Sequence, residues 1–87
     1  MPLVIRLNDT SDHAGTVISS AAKTYAEGQL VARLGDQHDC PIPGHGITDI
    51  VEGSPDTYVE GSQVARQGDH AACGAALISG AVKTYVN

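Results

Sequence analysis

The chain has 87 residues and a formal net charge of -5, with no Trp, no Phe and only three Tyr. Its five basic residues are scattered, which excludes the clustered Lys and Arg that bind nucleic acid or an anionic membrane surface. A single domain of this size buries only about 60% of its unfolded surface, so it needs a staple: disulfides, a metal or a partner.

The opening residues, MPLVIRLND, lack a basic leader and meet Arg6 and Asp9 before a signal-peptide core can form. No run approaches the roughly 18 apolar residues of a membrane helix. The expectation is a chain made in the cytoplasm without a signal peptide; if it leaves the cell, it does not leave by a cleaved signal.

From Val4 onward the chain is three copies of one unit within one domain, at about 4–30, 31–63 and 64–87. The first opens on VIRLND (4–9) and closes on KTYAEG (23–28). The second opens on VARLGD (31–36) and closes on DTYVEG (56–61), and the third runs from VARQGD (64–69) to KTYVN (83–87). Ile18, Val51 or Ile78 stands seven residues before each Tyr, and Ser20, Gly53 or Gly80 five before it. Short runs rich in Val, Ile, Thr and Tyr between Gly, Ser, Asn and Asp predict strands. Glu27-Gly28 and Glu60-Gly61 predict tight turns, because Gly accepts positive φ. Helical periodicity is absent. The fold class is therefore all-β: a compact set of three β-hairpin repeats with approximate threefold symmetry, favoured over a solenoid, which needs more neighbours and caps.

Each unit repeats an Arg and an Asp three residues apart: Arg6 and Asp9, Arg33 and Asp36, Arg66 and Asp69. Arg suits fixed carboxylate geometry, so these residues are read as a charge-assisted contact pinning the turn; the bland alternative is three solvated pairs copied with the repeat.

Four residues after the repeat Asp comes His13 in the first unit, Cys40 in the second and Cys73 in the third. One position thus carries a metal-ligating side chain in every copy. The Asp-to-Tyr separations are 16, 22 and 16 residues (9 to 25, 36 to 58, 69 to 85), so the middle unit holds six extra residues, assigned to 41–46. That insertion brings His45, stiffened by Pro41 and Pro43. His13, Cys40, His45 and Cys73 make a two-thiol, two-imidazole set of the kind that closes tetrahedrally on structural Zn2+. His38 and His70 are the alternate ligands, or donors behind the ligands. A Cys40–Cys73 disulfide is the competing reading of the cysteines, disfavoured in reducing cytoplasm. A catalytic zinc with water, and His38, His70, Asp12 or Asp39 as general base, is a further alternative that would need an open cleft. Neither a phosphate-binding Gly loop nor a nucleophile elbow occurs.

The motifs VARLGD and VARQGD, Gly-Ser-Pro (53–55), TYVEG, CPIPGHG (40–46) and GDHAACGA (68–75) resemble the PAAR-repeat proteins, the tips of the type VI secretion spike, over essentially the whole chain. The naming Pro-Ala-Ala-Arg is degenerate: residues 30–33 (LVAR) and 63–66 (QVAR) keep Ala-Arg and lack the Pro, and the first unit has Ile5-Arg6.

The resemblance implies a small cone of β-hairpins, zinc-stapled near its apex, whose base docks one chain per trimer on a VgrG β-prism. His13, His45 and Cys73 match the family's motif positions. Members with three His and one Cys keep His38 and His70 open as alternate ligands, in place of a cysteine or His45. On this reading Tyr25, Tyr58 and Tyr85 lie toward the partner-binding base, and the loops after Asp9, Asp36 and Asp69 gather at the tip. Longer relatives carry toxin extensions, for which this chain leaves no room after its third hairpin. The implied function is a non-enzymatic, exported spike tip that pierces membranes, meets the target bilayer transiently and travels with effector proteins. A small zinc hydrolase or toxin, and a zinc-binding interaction module unrelated to secretion, are the competing classes.

Overall fold

The computed structural model describes residues 2–86, as strands and turns without a helix. Among them no helix is long and apolar enough to cross a membrane. Nine short strands form among the described residues: β1 (Thr10–Ser11), β2 (Thr16–Val17), β3 (Tyr25–Ala26), β4 (Gln29–Leu30), β5 (Gln37–Cys40), β6 (Gly46–Asp49), β7 (Tyr58–Val59), β8 (Ser62–Gln63) and β9 (Leu77–Ile78).

The hairpins β3-β4 and β7-β8 are two-stranded antiparallel sheets, with Tyr25 opposite Leu30 and Tyr58 opposite Gln63. Their connections are the predicted turns. Glu27 and Gly28 have φ of 49° and 86°, Glu60 and Gly61 φ of 49° and 88°, and positive φ at both central residues is the primed turn that matches strand twist. The counterpart in the third unit is assembled from both ends of the chain. Tyr85 pairs with Leu3, the Val86 N–H donates to Pro2 O and the Val4 N–H to Thr84 O, both at 2.9 Å.

The units are tied to one another by a closed cycle. The Ile5 N–H donates to Ala65 O at 3.0 Å, the Ala65 N–H to Ala32 O at 3.0 Å, and the Ala32 N–H to Ile5 O at 2.9 Å. Bridges Arg6–Val31, Arg33–Val64 and Val4–Arg66 flank it. Ile5, Ala32 and Ala65 are fully buried, with Val17, Ile50 and Leu77 in the same core cluster. A second cluster, of Val4, Val31, Val64, Ala26 and Ala81, lies under the tyrosine-bearing hairpins, where Leu3, Val59 and Val86 pack against it.

The remaining strands form one sheet in the order β6-β5-β2-β1-β9. Bridges Ile50–Ala71 and His70–Ala76 carry pairing from the end of β6 back toward β9. The six extra residues of the middle unit lengthen its hairpin: β5 and β6 run four residues where β1, β2 and β9 run two.

The repeated Arg and Asp sit at the entrance to this sheet. Asp9, Asp36 and Asp69 are buried, and each accepts the backbone N–H of its own Arg at 2.8, 2.7 and 2.9 Å respectively. The side chains pair as well, most completely at Arg66, whose Nε and Nη2 reach the two oxygens of Asp69 at 3.1 and 2.9 Å. The residue before each Asp explains the Gly/Asn alternation in the motif. Asn8, Gly35 and Gly68 have φ of 74°, 92° and 93°, a left-handed conformation that Gly adopts freely and Asn tolerates.

Candidate metal centre

A strand turns every second side chain to one face. Counting from the buried Asp, the less exposed positions are the Asp itself, the residue two on and the residue four on: Asp9, Ser11 and His13; Asp36, His38 and Cys40; Asp69, Ala71 and Cys73. The burial follows that alternation, with the exposed Thr10, Asp12, Gln37, Asp39, His70 and Ala72 between. The shared ligand position comes at the end of this series: Cys40 is the last residue of β5, and His13 and Cys73 lie in the turns that follow Ser11 and Ala71. His45 reaches the same place from the lengthened β5-β6 hairpin, just ahead of β6.

One donor atom from each of His13, Cys40, His45 and Cys73 lies within 4.8 Å of the other three. Cys40 Sγ is 3.6 Å from His13 Nδ1 and 3.3 Å from His45 Nδ1, and the two imidazoles tilt at 46° with centroids 5.3 Å apart. With Zn–S near 2.3 Å and Zn–N near 2.0–2.1 Å, a tetrahedron has S···N edges of about 3.6 Å. The donor set and its spacing fit such an ion. Both cysteines are free.

The surroundings lower the Cys73 pKa from the ordinary thiol value. Burial pushes its thiol up, but the Ala75 N–H, the Thr48 hydroxyl and Cys40 together outweigh it, and the net shift is down. Thr48 Oγ1 is itself buried without a partner in full hydrogen-bond geometry. An anionic sulfur beside it offers that hydroxyl the acceptor it lacks.

The other two histidines lie outside the four-donor cluster. His70 is at the surface, with Nδ1 2.7 Å from Glu52 Oε1, a contact that lowers the Glu52 pKa. His38 is fully buried; burial, and then the nearby His13, lower its pKa against the opposing pull of Asp39 and Asp12. Its Nδ1 lies 3.9 Å from Cys73 Sγ, behind a donor rather than among the donors. Tyr25, Tyr58 and Tyr85 are 65%, 60% and 51% exposed.

A pair of contacts had no signal in the spacing. The Glu27 carboxylate accepts the Val82 and Lys83 N–H groups and the Thr84 hydroxyl, the last at 2.7 Å. Glu60 does the same to Ala22, Lys23 and Thr24 of the first unit. These clasps hold the first unit's turn against the third unit and the second unit's turn against the first, and they lower both carboxyl pKa values, that of Glu27 to about 2. The signal available in the sequence was Glu at the same turn position in two units, followed by Asn87 in the third, which lies outside the described residues.

Small hairpin units tied in a cycle, with thiol and imidazole donors gathered from all of them, define a class: a small all-β domain built around a candidate metal site. Comparison with known families sharpens this. The chain belongs to the PAAR motif family, which matches residues 7–79. Proteins of this family are structural tips of the type VI secretion spike, not enzymes, and the family implies VgrG binding and delivery by that system. No curated protein matches the chain.

Proposed function

We propose that this chain is a zinc-stapled spike tip: a small cone of three hairpin units with approximate threefold symmetry, one chain capping the blunt end of a VgrG trimer. The closed cycle through Ile5, Ala32 and Ala65 carries this reading. A single chain whose units succeed one another around a cycle offers three similar faces, the match that a closed trimer requires of an asymmetric cap.

Zn2+ is the ion proposed, with His13, Cys40, His45 and Cys73 as its ligands. Bound there, it cross-links all three units and supplies folding free energy that a core without Trp or Phe lacks. Tyr25, Tyr58 and Tyr85 are the proposed anchors on VgrG. Their exposure supports this, as does the preference of interfaces for aromatic side chains. The base is then the tyrosine end, and the loops after Asp9, Asp36 and Asp69 gather at the apex. The chain is made in the cytoplasm and exported on the spike, with effector proteins as fellow cargo. It meets the target membrane only as the apex passes through it.

Co-purification with a trimeric VgrG tests the assignment. The expected result is one chain per trimer. Replacing Tyr25, Tyr58 and Tyr85 together by Ser should weaken capture by about tenfold or more without loss of bound metal. Failure to bind any VgrG of the source organism would sink the reading.

A further inference from the structure

Ser11, His38 and Ala71 occupy one inward position, two residues before the shared ligand position of each unit, and all three are buried. Two are small, and the third is an imidazole that the four-donor cluster leaves out. The ring has room because Gly15 lacks a side chain: a Cβ there would overlap His38 Nε2 and Cε1. What such a buried histidine does is set by what its two nitrogens meet.

Nε2 lies 2.8 Å from Ser11 Oγ, and Nδ1 lies 3.9 Å from Cys73 Sγ. Ser11 fixes where the protons go. Its oxygen already accepts the His13 N–H at 3.3 Å and the Gly15 N–H at 3.2 Å, and a hydroxyl has two acceptor lone pairs and one proton. That proton is what Ser11 has left for His38, so Nε2 accepts it. The N–H of the neutral imidazole is then at Nδ1, facing the Cys73 sulfur.

The geometry points to His38 as a positioning residue for Cys73: Ser11 locks its Nδ1–H tautomer, and that N–H donates to the Cys73 thiolate when the sulfur holds a metal. The contact runs from the first unit through the second to the third, so one hydrogen-bonded chain crosses all three behind the donors. It steadies the direction of the sulfur and stabilises its anionic form. This role rests on the metal reading above and gives it a histidine that is not a ligand.

The test uses the full chain, titrated with Zn2+ against a chromophoric chelator and separately with Co2+ to read the thiolate-to-metal charge-transfer band. His38→Gln places its amide near the Nε2 position and removes the donor to Cys73, whereas His38→Asn keeps an amide N–H near Nδ1. Ser11→Ala frees the tautomer without crowding, since the third unit carries Ala71 at the same position. His38→Gln is expected to weaken Zn2+ binding by about 10- to 100-fold and to shift the Co2+ band. His38→Asn should restore most of both, and Ser11→Ala should move both less, in the same direction.

Unchanged affinity and an unmoved band in all three variants overturn the inference. Equal losses in His38→Gln and His38→Asn with an unmoved band also overturn it, because they mark packing alone. If His38→Gln does not fold, an unmoved band in Ser11→Ala overturns it by itself. A wild-type chain that takes up neither Zn2+ nor Co2+ removes the metal reading and this inference together, whereas metal uptake with silent variants removes only the inference.

Discussion

The tyrosine-bearing hairpins and the donor-bearing strands come from the same three units but are held by different physics. Around the tyrosines, units grip in pairs: primed turns at Glu27, in the first unit, and Glu60, in the second, aim carboxylates at the backbone of the third and first units over a layer of Val side chains. Around the donors, the inward side chains are Ser, His, Cys and Ala, too few and too polar to form an apolar layer. There the units converge on one point instead of gripping in pairs. Pairwise grips can be lost one at a time; a shared point is held or lost as a whole.

Metal removal should break this contrast most strongly. Chelation, or Cys73→Ser in the metal-loaded protein, is expected to lower stability by several kcal/mol, since structural zinc contributes on the order of 10 kcal/mol in small peptides. Amide exchange should accelerate through residues 10–17, 37–49 and 70–78 and much less through 25–30 and 58–63. Equal acceleration in both regions would show that they are one cooperative unit.

Acid should sharpen the contrast from the other side. The Glu27 carboxyl is held from 4.5 down to about 2, first by the Thr84 hydroxyl and then by the Val82 N–H. A carboxylate whose folded pKa is depressed contributes stability that is complete above its unfolded value and is lost as pH falls toward the folded one. Thermal melts of wild type and Glu27→Gln should therefore differ most above 4.5 and converge toward about 2. Glu60→Gln should behave in the same sense. A constant gap across that range would assign the clasp to shape rather than charge.

The smallest effect expected is a gain. Ala14, next to His13, has a φ of 62°, and the corresponding residue of the third unit is Gly74 with a φ of 92°. A left-handed conformation costs an L-residue roughly 1–2 kcal/mol, so Ala14→Gly should raise stability by up to about 1 kcal/mol after the added chain entropy of Gly, and the melting temperature slightly with it. A lower melting temperature would show that the Ala14 methyl makes contacts worth more than the strain.

The sequence exposed whatever repeats at fixed spacing. The Arg–Asp turns, the Glu-Gly hairpin turns, the shared ligand position and the extra six residues all follow from aligning three units. Contacts between units were not visible in that way. Nothing local marks Glu27 for the backbone of residues 82–84, or Leu3 for Tyr85 at the far end of the chain. His38 is the instructive intermediate. Spacing separated it from the shared ligand position, yet only its neighbours Ser11, Gly15 and Cys73, drawn from two other units, show what its ring faces.

The cycle through Ile5, Ala32 and Ala65 also sets a number. Each of these peptide groups donates to one partner and accepts from the other, and the third returns to the first. A fourth copy of the unit would find every donor and acceptor in that ring already engaged. A stacked repeat array lengthens by adding modules; this one is arithmetically complete at three. Extra sequence within it has to go outward between existing strands, as the six residues of the middle unit do.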